Sequence, residues 1–221
     1  MVVILVLLTF GLFLLIDYVR SEKQAAKQPA LQAMRTAASR MAPALVAGFQ
    51  VPENLRYHTG HTWALSESRD LVRVGMDDFA SKLVGKIESI TLPQRGRWIR
   101  QGQKIWTMFR DGKSVDMVSP IEGTVNDINE AVMKDPELAR KDPYGEGWLV
   151  TVQAPDAKTN FRNLLGGALA RVWTEESALR LRSRMSLATA LAQDGGVAVD
   201  DLTAHLPDQD WAEITKEFFL S

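Results

Sequence analysis

Short stretches of alternating apolar and polar residues fill the middle of the chain. In residues 71–75 (LVRVG) and 86–92 (KIESITL), apolar and polar positions alternate with a period of two, as in half-buried β-strands. The same reasoning indicates strands at 124–128 and 148–152. Because glycine and proline separate these short strands, the pattern predicts an all-β barrel or sandwich over residues 51–156.

Two short helical inserts are predicted among the strands. Residues 77–83 begin with Asp77, an aspartate at the position where a helix N-cap belongs. Residues 129–139 form the second insert, and Pro136 breaks it. The middle of the chain is therefore expected to be mainly β, with small helical additions.

Residues 106–123 contain the strongest local signal, that of a β-hairpin. Asp111-Gly112 suits a type I′ turn, which needs positive φ at both central positions. This turn places Arg110 opposite Lys113. The other expected pairs are Phe109 with Ser114, Met108 with Val115, and Trp106 with Met117. The period of two then puts four side chains on one face, which we assign to the core: Trp106, Met108, Val115 and Met117.

The N-terminus is almost wholly apolar over residues 1–16 (MVVILVLLTFGLFLLI), and Tyr18 and Val19 extend it. No basic residue precedes this run and no small-residue cleavage site follows, so residues 1–19 are predicted to be an uncleaved transmembrane helix rather than a cleaved signal peptide. The basic residues follow it: Arg20, Lys23, Lys27, Arg35 and Arg40. The positive-inside rule therefore predicts a single-pass protein of the inner (cytoplasmic) membrane, with its C-terminal domain in the cytoplasm.

Residues 20–50 are predicted to form a helical neck or linker. Apolar residues recur there at spacings of three and four, forming one stripe: Leu31, Met34, Ala38, Met41 and Leu45. The stripe suits packing either on the protein's own domain or on another membrane subunit, and the pattern does not separate the two.

Residues 157–221 are predicted to be a helical extension. A first helix is expected over residues 161–172, and a second from Thr174, read as its cap, to Gln193, where Asp194-Gly195-Gly196 stops it. Asp208 is expected to cap a last helix. Its apolar side chains are Trp211, Ile214, Phe218 and Phe219. This helix needs burial against the domain or a partner, and a partner is slightly favoured.

Composition narrows the classes of function. The chain has 221 residues, 46% of them hydrophobic, and a formal net charge of −1, which does not fit a disordered or nucleic-acid-binding protein. It has no cysteine, so disulfides, thiol nucleophiles and cysteine metal sites are excluded. His58 and His61 have no further clustered ligands for zinc, and no nucleophile–base set or phosphate loop is present. The sequence therefore does not predict an enzyme, and no metal site is expected.

Motifs spread along the β-domain carry a family resemblance. They begin with Tyr57, His61-x-Trp63 and residues 74–80 (VGMDDFA). They continue with Leu83-x-Gly85, Leu92-Pro93-x-x-Gly96 and Gly102, and the most specific are residues 129–138 (NEAVMKDPEL) and 142–149 (DPYGEGWL). These motifs resemble the H protein of the glycine cleavage system, the lipoyl carrier that shuttles an aminomethyl group between enzymes.

The resemblance implies a hybrid barrel-sandwich fold, as in lipoyl domains, and does not extend to the anchor, the neck or the C-terminal extension. It also implies that four acidic residues belong to structural loops of the family and not to a metal site: Glu130, Asp135, Asp142 and Glu146. His61 is likewise implied to be a residue of the fold.

The position of the modified lysine departs from the family. Counting from Gly102 or back from Pro120, the family's lipoyl-lysine position falls on Gly112, and the nearest lysine is Lys113. The family's acidic residue and serine, three and two positions before its lysine, are replaced by Phe109 and Arg110. Lys113 is therefore either a solvated charge beside a tight turn or a lipoyl-attachment site whose register has shifted.

Two functions follow from these alternatives. The first is a membrane-anchored H-protein-like subunit without a cofactor, which acts as a structural or accessory subunit of a membrane protein complex. The second is a tethered carrier with lipoate on Lys113, which shuttles an aminomethyl or dithiol group. The expected partners are membrane lipid, through residues 1–19, and other subunits of the complex. No catalytic residue, metal or nucleic-acid partner is predicted.

Overall fold

The computed structural model describes residues 44–185, 193–194, 197–198, 200–203 and 208–220. The predicted transmembrane helix of residues 1–19 and most of the predicted neck lie outside these residues. Among the helices that are described, none combines the length and the apolar character needed to cross a bilayer.

Two antiparallel sheets form the centre of the domain. The larger has six strands in the order β3 (Arg56–His58), β4 (Thr62–Ser66), β5 (Leu71–Met76), β11 (Val150–Gln153), β10 (Gly123–Ile128) and β7 (Trp98–Ile99). The smaller has three strands in the order β6 (Ser89–Thr91), β8 (Lys104–Arg110) and β9 (Lys113–Val118). Alternate residues of both sheets enter one shared core, for example Val72, Val74, Met108 and Met117. The mainly-β prediction is confirmed.

Three short helices lie between strands of the sheets, at the positions where the sequence predicted helical inserts. Helix α1 spans Asp78–Val84, and the Asp77 side chain caps it by accepting a 2.8 Å hydrogen bond from the amide of Ala80. Helix α2 spans Glu130–Lys134 and helix α3 spans Glu137–Lys141, with Pro136 between them. The proline breaks the predicted insert because its ring prevents the helix from continuing through that position.

The chain before the domain differs from the predicted neck over residues 44–50. Strands β1 (Ala44–Val46) and β2 (Phe49–Val51) form a hairpin, and Ala47 and Gly48 turn the chain with φ of 51° and 95°. Phe49 and Val51 are buried on either side of an exposed Gln50, which is the period of a strand. Helical spacing up to Leu45 was therefore misleading, and the helical prediction is wrong for these residues.

The helices of the C-terminal extension are interrupted at other positions than predicted, since residues 162–167, inside the predicted first helix, are not helical and no break occurs at residue 173. Helix α4 spans Ala157–Phe161, and one long helix, α5, spans Ala168–Arg184. The predicted cap Thr174 lies inside α5, where its hydroxyl donates to the carbonyl of Ala170 at 2.9 Å. Because a threonine can satisfy its hydroxyl within a helix in this way, its presence did not mark a helix start.

The predicted continuation of that helix to Gln193 is also wrong at its end. Strand β12 (Gln193–Asp194) pairs with β13 (Val197–Ala198) in a small hairpin. The amide of Ala198 donates to the carbonyl of Gly48 at 2.9 Å, so this hairpin joins the one formed by β1 and β2.

The last helix, α6, spans Asp208–Phe219 as predicted. It packs on β9, α1 and α5. Its apolar side chains are at most 5% exposed: Trp211, Ile214, Phe218 and Phe219. The slight preference for a partner was therefore wrong, since the helix buries its apolar face against its own domain.

Candidate functional site

The hairpin of β8 and β9 has the predicted turn and register. Asp111 and Gly112 have φ of 47° and 72°, as a type I′ turn requires. The cross-strand pairs are also as predicted: Arg110 with Lys113, Phe109 with Ser114, Met108 with Val115, and Trp106 with Met117. The four residues assigned to the core face are at most 4% exposed: Trp106, Met108, Val115 and Met117. Local turn chemistry and the period of two therefore determine this hairpin.

Gly112 occupies the apex of the hairpin. It is exposed, and a Cβ built on it would meet no atom within 4 Å. The apex thus has room for a side chain, but glycine offers none to modify. This is the position at which the resemblance placed the family's lysine.

Lys113 lies one residue beyond the apex, as the first residue of β9, and is partly buried. Its ammonium nitrogen lies 5.5 Å from the centre of the Trp211 ring, in the geometry of a cation–π contact. Trp211 belongs to α6, which packs on β9. The one residue predicted as a possible cofactor site is therefore covered on one side by the C-terminal helix.

Arg110, opposite Lys113, turns away from it into the protein and is only 9% exposed. Its guanidinium donates two hydrogen bonds to the Asp201 carboxylate, at 2.6 and 2.7 Å, and a third to the carbonyl of Val84 at 2.6 Å. Burial alone would lower the pKa of Arg110, but the hydrogen bonds to Asp201 and Asp111 outweigh it and raise the pKa. Arg110 and Lys113 carry like charges on opposite strands, but each has a different partner: the Asp201 carboxylate for Arg110 and the Trp211 ring for Lys113.

Asp201 belongs to a C-terminal segment that binds the hairpin at Arg110, the last residue of β8 before the turn. We call residues 197–198, 200–203 and α6 together the C-terminal clasp. The amide of Leu202 donates to the carbonyl of Lys82 at 2.9 Å, and the hydroxyl of Thr203 donates to the carbonyl of Leu83 at 2.8 Å. Asp200 pairs with Arg140 at 3.0 Å. The clasp therefore joins α1, α3 and the hairpin tip.

The sequence did not predict the clasp. Its central contact joins Arg110 to a residue 91 positions later, and no periodic pattern links the two. The available signal was an arginine where the family has a serine, together with the acidic pair Asp200-Asp201.

His61 lies apart from the hairpin tip, in an aromatic cluster. Its ring stacks on Phe79 with centroids 4.1 Å apart, and Trp173 lies 4.5 Å away. Its Nδ1 is 2.8 Å from the Asp77 carboxylate. The Nδ1 of His58 accepts a 3.0 Å hydrogen bond from the amide of Gly60, and burial, together with the charge of His61, lowers the pKa of His58.

Two of the acidic residues in the family-like loops, Asp142 and Glu130, have protein partners. The Asp142 carboxylate accepts hydrogen bonds from the amides of Gly145 and Glu146, at 3.1 and 2.8 Å. Glu130 pairs with the exposed Arg95 at 3.0 Å. No group of three or more potential metal ligands occurs in the part of the chain that the structure describes.

A variant of Trp211 tests whether the clasp shields Lys113. In Trp211→Ala, we expect an amine-reactive reagent to label Lys113 several-fold faster, because one face of the ammonium group loses its cover. Peptide mass spectrometry would measure the labelling rate of each lysine. Lys158, which is exposed on α4, serves as the internal control and should label at an unchanged rate. An unchanged rate at Lys113 would contradict the shielding.

Residues 55–176 match the family model described as the glycine cleavage H-protein. A probable glycine cleavage system H protein of Aeropyrum pernix is 35% identical over 113 residues, which cover 50% of this chain and 78% of the relative. The glycine cleavage system H protein of Mycobacterium avium is 35% identical over 107 residues, which cover 48% of this chain and 81% of that relative.

A solved structure is also similar. The crystal structure of a glycine cleavage system H protein from Mycobacterium marinum aligns with a TM-score of 0.47 at 24% identity, covering 57% of this chain and 98% of that one.

Proposed function

The chain belongs to the glycine cleavage H-protein family, and from this premise we propose that it is a membrane-anchored member without a lipoyl group, acting as an accessory subunit of a membrane protein complex. Proteins of the family are lipoyl carriers and not themselves enzymes. The domain of residues 55–176 is of this carrier type. We propose that this chain uses its carrier-type domain without a lipoyl group, in an accessory role.

The geometry of the hairpin tip is the observation that carries the proposal. A swinging cofactor arm needs its attachment point at the apex, where a ligase reaches it and the arm turns freely. Here Gly112 holds the apex, and Lys113 lies on the strand beside the Trp211 ring. A lipoyl group on Lys113 would have to displace or extend past that ring.

The C-terminal clasp also supports an accessory role. A carrier that visits several enzymes must present its tip to each of them. In this chain, Arg110 at the base of the tip is bound to Asp201, and α6 packs along β9. The clasp thus occupies surface on one side of the hairpin that a visiting enzyme would need.

The anchor is the part of the proposal that rests on the sequence alone. The apolar run of residues 1–16 and the basic residues after it favour a single-pass location in the inner membrane, with the domain in the cytoplasm. A protein held at the membrane suits a fixed complex better than a shuttle. The proposed partners are therefore membrane lipid and other subunits of that complex.

The modification state can be measured directly. Intact-mass analysis of the full chain purified from its native host is expected to show no lipoyl addition, because the family's lysine position is Gly112. A lipoyl-sized addition on Lys113 would contradict the proposal and establish the alternative, a tethered lipoyl carrier. Proteins that co-purify with a tagged chain in detergent would identify the complex.

An engineered lysine tests whether register is what prevents modification. In Gly112→Lys, we expect a lipoate ligase to modify residue 112, because the apex has room for a side chain. The left-handed backbone there costs a lysine about 1 kcal/mol, which the fold can tolerate. The matched controls are the unaltered chain and Gly112→Lys/Lys113→Ala. We expect no modification in the first and full modification in the second, and modification of Lys113 in the unaltered chain would count against the register argument.

A further inference from the structure

Helix α5 presents apolar side chains to solvent. Val172 is 53% exposed and Leu179, two turns later on the same face, is 55% exposed. Leu45 of β1, 48% exposed, lies on the other side of a groove of about 510 Å³ between β1 and α5. These residues leave an apolar strip along the outer face of the helix, which is the kind of surface that marks an interaction site.

The charges along the same strip follow a definite order. Glu175 lies one turn before Leu179 and Arg182 lies three residues after it, so all three share one side of the helix and line the groove. Within the described residues, neither Glu175 nor Arg182 forms an ion pair. The neighbouring Arg171 differs, because Glu53 already binds it.

We propose that the outer face of α5, together with β1, is the interface of a homodimer in which two copies of α5 pack antiparallel about a two-fold axis at Leu179. The axis places Leu179 on the partner's Leu179. It places Glu175 opposite the partner's Arg182, and Arg182 opposite the partner's Glu175. A surface that complements itself in this way is what an isologous interface requires.

The spacing fits this arrangement closely. Glu175 lies four residues before Leu179, about 6 Å along the helix axis, and Arg182 lies three residues after it, about 4.5 Å. A two-fold rotation at Leu179 therefore brings each glutamate within about 1.5 Å, measured along the axis, of the partner's arginine. A parallel pair would instead place like charges side by side. The order of charges thus favours a second copy, packed antiparallel, as the occupant of this face.

The dimer does not depend on the modification state of Lys113, which lies on β9. The experiment therefore tests this interface separately from the proposed accessory role. It uses the full chain in detergent, because residues 1–19 are apolar.

Disulfide trapping is the first test. Because the chain has no native cysteine, an introduced cysteine can form a disulfide only with its copy in a second chain. Leu179→Cys is expected to form a disulfide-linked dimer on mild oxidation, because the two introduced thiols meet at the two-fold axis. Met133→Cys is the matched control, since Met133 is 45% exposed on α2 and outside the interface. It is expected to stay monomeric on a denaturing gel. Equal cross-linking of the two variants, or none of either, would overturn the proposal.

Charge reversal is the second test. Glu175→Arg and Arg182→Glu should each raise the dimer dissociation constant about tenfold, because each change creates two repulsive contacts across the axis. An equal mixture of the two variants should recover association, since every contact in the heterodimer is again between opposite charges. Light scattering would measure the mass of each sample. A mixture that associates no better than either variant alone would overturn the two-fold arrangement, and circular dichroism would verify folding.

Discussion

Replacing Arg110 with alanine is expected to lower the free energy of unfolding by about 3 kcal/mol, the scale set by breaking a buried ion pair through removal of one partner. The guanidinium is nearly buried and binds both the Asp201 carboxylate and the carbonyl of Val84. Without it, Asp201 keeps its charge in a partly buried place and the carbonyl loses a donor. Urea unfolding of the full chain in detergent, followed by tryptophan fluorescence, would measure the change.

An exposed arginine provides the matched control. Arg95 also pairs with two carboxylates, those of Asp127 and Glu130, but it is exposed to solvent. Arg95→Ala is expected to leave the unfolding curve unchanged, since exposed pairs contribute little. A change in Arg110→Ala as small as that in Arg95→Ala would show that Asp201 does not hold the hairpin tip.

A double variant measures the interaction energy between Arg110 and Asp201 apart from their contacts with other residues. Arg110→Ala/Asp201→Ala removes both charges, so the second substitution should cost less in the presence of the first than it does alone. We expect a coupling energy of about 1–3 kcal/mol, the range for residues in direct contact. Hydrogen exchange should in addition show faster exchange of the α6 amides in either single variant.

Replacing Phe79 with alanine is expected to cost about 3–5 kcal/mol, the range for truncating a fully buried phenylalanine. Phe79 is 1% exposed and lies at the centre of an aromatic cluster. Its ring centre is 4.9 Å from Phe49 in β2, 4.1 Å from His61, and 5.1 Å from Phe218 in α6. The variant removes the ring on which the N-terminal hairpin and the C-terminal helix both pack.

Phe109 is the control of the same residue type. It lies on the outer face of β8 and is 37% exposed. Phe109→Ala is expected to change the free energy of unfolding by less than about 1 kcal/mol, because no cavity forms in the core. If the two variants were equally stable, the aromatic cluster would not be the element that joins the two ends to the domain.

The parts of the structure that the sequence predicted are those specified by neighbouring residues. The turn at Asp111-Gly112 needs positive φ at two consecutive positions, and its flanking residues alternate, so turn, register and buried face all follow from local chemistry. The cap of α1 is similarly local, because Asp77 accepts from an amide only three residues away.

The parts that were missed depend on distant contacts. Residues 44–51 have strands of only three residues, and their hairpin is held from elsewhere: the amide of Gln50 donates to Asp78, and the carbonyl of Gly48 accepts from Ala198. Arg110 and Asp201 meet only because the chain returns to the hairpin after 91 residues. A pattern read over a short window contains neither contact.

The pair of Arg110 and Asp201 also constrains how this chain can change over time. A single substitution at either position leaves the other charge without its partner, so either step alone passes through a less stable protein. The two positions are therefore expected to vary together among descendants of this sequence. A serine at position 110, as the family has it, would leave Asp201 without its partner unless position 201 changed as well. Position 110 is thus held in its present state by a residue outside the carrier domain.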